Sequence, residues 1–195
     1  MRKAMAAALT GLALAGLAGT ASAQVTQQDF PWPPRDTTPI HKTKAELQKQ
    51  ADEFTAHQLR TYPRIFAGAK FVTPGLWGGL RDGALDDGMQ YMANEVRFRQ
   101  PGAEQGVWAS VITQVNAPGF FTDSPEEFCA QTTCTGTVSD NQGGVIVFSE
   151  DDSYNDRSAH NFRPNGEVVF TQGSRQDDPV LLGAVASDRA YTFTR

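Results

Sequence analysis

From Met92 onward the sequence is a series of short strand-like runs, each cut off by turn residues, and this pattern leaves few architectures open. Residues Met92 to Arg99 alternate with a period of two. Val107 to Val115 follows after Pro101-Gly102, so the two runs predict an antiparallel hairpin with a loop of about seven residues. Val145-Ile146-Val147-Phe148 is continuously apolar, as in a central strand covered on both faces. Ser158 to Phe162 and Glu167 to Thr171 flank Arg163-Pro164-Asn165-Gly166, and Asn-Gly between alternating runs signals a tight hairpin. Ala190 to Thr194 predicts a last strand with Tyr191 and Phe193 on one face. Consecutive strands joined by short turns make an antiparallel sheet, and such a sheet must bury one face against something.

The helical signals sit at the two ends of this series. Thr43-Lys44-Ala45-Glu46 is a T-x-x-E capping box, and Leu47, Ala51 and Phe54 follow on one face, predicting a helix over Thr43 to Arg60. Pro63 is expected to stop it near Tyr62. Asp178-Pro179 supplies an N-cap and an N1 proline for a short helix carrying Leu181, Leu182 and Val185. Between the first helix and the strands, Pro74-Gly75, Gly78-Gly79, Asp82-Gly83 and Asp87-Gly88 mark turns. Their spacing is not that of a phosphate-cradling loop. The fold class is therefore α+β, an N-terminal helix packed on a mainly antiparallel sheet of about five to seven strands, with a short helix near the C-terminus. Leu47, Phe54, Val111, Val147 and Val168 are expected to meet between helix and sheet.

The first 23 residues stand apart from this domain. Arg2 and Lys3 precede an apolar run from Ala4 to Ala18, and Ala21-Ser22-Ala23 has the small residues of a cleavage site. This is the pattern of a secretory signal peptide, and the run is shorter than the roughly 20 residues that span a bilayer as a helix. No cysteine follows it to carry a lipid. Cleavage near Ala23 leaves 172 of the 195 residues and takes two of the 17 basic side chains, so the net charge falls from −5 to −7. That charge disfavours nucleic acid as a partner. Among the basic residues that remain, only Lys42, Lys44, Lys49 and Lys70 are lysines, a bias that points with the Ala and Gly content to a GC-rich bacterial gene. Residues 24–42 carry Pro31, Pro33, Pro34 and Pro39 and read as a linker, with Phe30 and Trp32 expected to dock on the domain at 43–195. Export places Cys129 and Cys134 in an oxidising compartment, so they are expected to pair as a local clip on the turn between them.

Chemistry-bearing motifs are sparse. His41, His57 and His160 lack the spacing of a zinc hydrolase, and G-x-S-x-G is absent. A hydrolase would need a pocket in which His57 or His160 meets a carboxylate or a hydroxyl. Asp82, Asp86, Asp87 and Glu95 offer carboxylates without a spacing that separates an acid from a base. Asp151, Ser153 and Asn155 alternate like the first ligands of a calcium loop, but Asp156 stands where that loop needs Gly and Phe162 where it needs Glu. A solvated connection between two strands explains the run from Glu150 to Asp156 more simply. No cofactor is implied. Trp77 and Trp108 read as core residues rather than a sugar-stacking platform.

The stretch Phe162 to Phe170, followed by Leu181 to Asp188, resembles the C-terminal half of small secreted or lipoprotein-like actinobacterial domains, in which an R-P-D/N-G-x-x-V hairpin precedes a short Leu/Ala helix. The resemblance implies an exported α+β domain and assigns no catalytic residue. Three functions follow as expectations. The first is a non-enzymatic binding or structural accessory domain of the cell envelope, whose partner is an extracellular protein or wall polymer. The second is a secreted hydrolase acting on wall or extracellular polymer. The third is a protease or nuclease inhibitor presenting the Thr122 to Thr135 segment as a clipped loop.

Overall fold

The computed structural model describes residues 32–34, 37–79 and 83–195. The signal-peptide pattern, Phe30 and Asp82 lie outside the described residues. Helix α1 (Lys44–Ile65) is followed by strands β1 (Lys70–Pro74), β2 (Tyr91–Arg99) and β3 (Ala109–Asn116). Helix α2 (Pro125–Gln131) leads into β4 (Thr133–Ser139), β5 (Val145–Asp151), β6 (Asp156–Phe162) and β7 (Val168–Ser174), and α3 (Pro179–Ala186) comes last. The seven strands form one sheet in the order β1-β2-β3-β7-β6-β5-β4, antiparallel throughout. Two meanders, β1 to β3 and β4 to β7, are thus zipped together where β7 lies beside β3.

The capping box of α1 is formed. The Glu46 amide donates to Thr43 Oγ1 at 3.3 Å and the Thr43 amide to Glu46 Oε2 at 2.8 Å. Its buried stripe of Leu47, Ala51, Phe54, Gln58 and Tyr62 crosses β1 to β3, where Gln58 and Asn94 exchange amide hydrogen bonds and the Tyr62 and Thr113 hydroxyls meet at 3.1 Å. Pro63 does not end the helix, which runs on to Ile65. A proline removes one donor but its fixed φ is helical, and buried Tyr62 and Phe66 hold the last turn against the core.

The sheet is covered on both faces, unequally. One face, with Met92, Val96, Phe98, Val111, Val115 and Val169, packs under α1 and α3 together with Trp77, Tyr191 and Phe193. The other face carries a smaller cluster of Val147, Phe162 and Val168, with Phe121, Phe128 and the linker residue Trp32 packed on it. Trp32 meets Phe162 edge-on at 5.2 Å, so that part of the linker docks. Val147 and Val168 are therefore buried, but on the face away from α1. The pleat sends alternate residues to opposite faces, so the run 145–148 supplies both clusters. Strand β5 is second from the edge, not central.

Residues 190–194 do not form a strand. Tyr191 and Phe193 are buried as expected, but side chains of the β6–β7 turn satisfy their backbone. Arg163, fully buried, donates to the carbonyls of Ala186 at 3.1 Å, Asp188 at 3.0 Å and Tyr191. Glu167 Oε1 accepts from the Phe193 and Thr194 amides at 2.8 and 3.1 Å and from the Thr192 hydroxyl at 2.6 Å. The two residues pair with each other at 3.2 Å. Asn165-Gly166 turns the hairpin between them, with Gly166 at φ +84°.

The Thr122 to Thr135 segment is not a loop. Ser124-Pro125-Glu126-Glu127 is a second capping box with proline at the helix start, and it opens α2. Cys129 and Cys134 are bonded, tying α2 to β4 across the joint between them.

Candidate functional site

The register of β3 with β7 stops at Ile112↔Gln172, although both strands continue. Strand β3 stays paired with β2 out to Ala109↔Phe98, and β7 with β6 out to Ser174↔Asp156. The two meanders therefore part at this end of the sheet. A cleft of about 530 Å³ occupies the gap, within the roughly 300–1,000 Å³ common for ligand sites. Glu95, Ser110 and Ile112 line it from one meander and Gln172 and Ser174 from the other.

Two aromatics reach the cleft from opposite halves of the sheet. Trp108 ends the β2–β3 loop and is 50% exposed. This corrects the expectation that it is a core residue: the strand begins one position later, and its inward neighbours take up the core face. Trp77, by contrast, is buried against Phe54. Tyr154 is 79% exposed at the tip of the β5–β6 turn. Asp151 Oδ1 accepts from the Ser153 amide at 2.8 Å, and Asn155 takes a left-handed φ of 51°, which Asn tolerates better than most residues. That geometry carries Tyr154 outward.

The acidic run around this turn meets arginines. Glu150 is bracketed by Arg157 at 2.9 Å and Arg175 at 3.0 Å, and Arg175 also pairs with Asp152. Asp151, Ser153 and Asn155 thus belong to a solvated turn between β5 and β6. Among the described residues no group of three or more His, Cys, Asp or Glu side chains is arranged to hold a metal ion.

Three carboxylates line the cleft, each already engaged. Glu95 pairs with Arg97 at 3.1 Å, and Asp156 accepts from Gln172 Nε2. Asp177, only 8% exposed, accepts from the Ser174 amide at 2.7 Å and from Gln100 Nε2 at 3.4 Å. Burial pushes the Asp177 carboxyl above the ordinary aspartate range. Of the carboxylates singled out from sequence, Glu95 lies here, whereas Asp87 accepts from the Lys44 amide at the start of α1.

The histidines lie elsewhere. His57 Nε2 meets Asp188 Oδ2 at 2.6 Å, with its ring edge-on to Tyr191 at 5.6 Å, and so ties α1 to the segment after α3. His160 is buried between Phe128 at 4.3 Å and Phe170 at 4.6 Å, and desolvation pushes its pKa down to about 3. His41 is exposed in the linker. None of the three lines the cleft. Trp108, Tyr154, Asp156, Gln172 and Asp177 were not singled out as a group from sequence, because only the β3–β7 pairing brings their segments together.

No family model, curated protein or solved structure matches this chain.

Proposed function

We propose that the protein is an exported, non-enzymatic binding domain of the cell envelope and that the cleft between the parted meanders is its binding site. The observation that carries this reading is the cleft itself, a polar concavity with two large aromatics left exposed at it. Exposed aromatics with a few convergent polar groups are the usual marks of a binding site. The disulfide supports an oxidising destination. The inhibitor alternative would have to present a clipped helix–strand joint in place of a loop, since residues 125–131 of that segment form α2, with Phe128 packed on the sheet, and β4 follows.

One observation favours the hydrolase alternative. Asp177 combines a raised pKa with two further carboxylates in the same cleft, the ingredients of acid–base work on a polymer. Hydrogen bonds to Gln100, Ser174 and Gln172 hold Asp177 and Asp156, which suits positioning better than proton transfer.

Retention on immobilised cell-wall extract separates these readings. The wild-type chain should be retained intact, and Trp108→Ala and Tyr154→Ala should each lower retention at least about tenfold. Release of soluble fragments from the extract by wild type and not by Asp177→Asn would favour the hydrolase instead. Equal retention of wild type and both aromatic variants would remove the cleft from the function.

A further inference from the structure

We infer that the cleft takes a neutral glycan, with Trp108 and Tyr154 stacking on sugar faces and the amide and hydroxyl side chains between them reading the sugar hydroxyls. The inference rests on the binding reading above and names its ligand class. Four observations lead to it.

Among the described residues no Lys, Arg or His lines the cleft. A phosphate, sulfate or carboxylate ligand would find no cation there and would face three carboxylates, so an anion is disfavoured. A cationic ligand is disfavoured for a different reason. Glu95 is already paired with Arg97, and Asp156 and Asp177 are each held by side-chain amides of Gln172 and Gln100. A cation would have to compete with those partners in a partly desolvated site.

The neutral polar side chains that line it are Gln176, Asn155, Ser110 and Ser174, together with Gln100 and Gln172. Amides and hydroxyls both donate and accept. Sugar hydroxyls do the same, so a row of them can satisfy such a lining without leaving a buried polar group unmade, which would be costly. Trp108 and Tyr154 supply what those groups lack, broad apolar surfaces still in water at 50% and 79% exposure. The axial C–H face of a pyranose is apolar while its rim is polar, and an aromatic ring beside hydrogen-bonding amides matches both. Because the two aromatics come from opposite meanders, a ligand touching both must span the cleft. That favours several linked sugars over one.

Trp108 also provides the readout. Trp77 is buried and Trp32 is packed against Phe162, so iodide should quench chiefly Trp108. The full chain, purified from a host that exports it, is titrated with hexasaccharides of β-1,4-glucose, β-1,4-N-acetylglucosamine, β-1,3-glucose, α-1,4-glucose and β-1,4-xylose. Binding is followed by calorimetry and by iodide quenching. At least one hexasaccharide should bind saturably and shield the tryptophan fluorescence from iodide, and its monosaccharide should bind at least about tenfold more weakly. Trp108→Ala and Tyr154→Ala should each weaken binding at least about tenfold with an unchanged melting midpoint, and Trp108→Phe should restore part of it. Three results would overturn the inference: no binding of any hexasaccharide, binding indifferent to both aromatic variants, or a hexalysine probe binding in a Trp108-dependent way in their place. If wall extract still retains the chain through Trp108 while every hexasaccharide fails, the binding reading stands and the glycan assignment falls.

Discussion

His160 shows how one residue sets a pH dependence. Its ring lies between Phe128 and Phe170, and Nδ1 has no hydrogen-bond partner among the described residues. Desolvation holds its folded pKa at about 3, against an ordinary value of 6.5. Between those values the unfolded chain binds a proton that the folded chain refuses, so stability falls as pH drops from 6.5 towards 3. His160→Phe should keep the packing and abolish this term. Urea unfolding at pH 4.5 should show the variant gaining about 2 kcal/mol on wild type relative to their difference at pH 7. Arg163 and Glu167 make the opposite case, a buried pair whose charges meet and whose other hydrogen bonds go to the segment after α3. Removing one leaves an uncompensated buried charge, which costs about 3–5 kcal/mol. Glu167→Ala should lose that much in denaturant unfolding and expose residues 190–195 to carboxypeptidase, because three hydrogen bonds to that segment end on one carboxylate oxygen.

At the scale of elements, the Cys129–Cys134 bond closes a loop of only six residues, and a loop that short is worth about 2 kcal/mol in chain entropy. Its effect should be local. In Cys129→Ser/Cys134→Ser, amide hydrogen exchange should quicken in α2 and β4 and stay unchanged in α1. Elements with strong local chemistry were legible in the sequence. The T-x-x-E box gave the start of α1, Asp178-Pro179 gave α3, and Asn165-Gly166 gave the β6–β7 hairpin. Those that failed did so for physical reasons. Helix α2 is too short to show a period, although Ser124-Pro125-Glu126-Glu127 carries the same capping signal as α1. The alternation at Tyr191 and Phe193 reports burial, and Arg163 and Glu167 supply hydrogen bonds that a neighbouring strand would otherwise supply. Pro63 predicts a stop because its lost donor is visible in sequence, while the packing of Tyr62 and Phe66 that outweighs it is not.

At the scale of the molecule, the site arises from how two meanders join. Ile112 and Gln172 are 60 positions apart, and their pairing is the last rung before the sheet parts. Nothing local encodes that rung. Trp108 could only be weighed as an aromatic in a strand-like run, and Asp156 only as a misplaced calcium-loop position. In sequence Glu95 is one of four carboxylates whose spacing separates no acid from a base. The central claim is that this cleft is where the protein binds, and amide hydrogen exchange tests it most directly. The full chain is compared alone and in the presence of the wall fraction that retains it. Protection should concentrate at residues 100–110, 154–156 and 172–177 and be lost in Trp108→Ala. Protection confined to the α1 and α3 face or to the β4 edge, with the cleft segments unchanged, would contradict it.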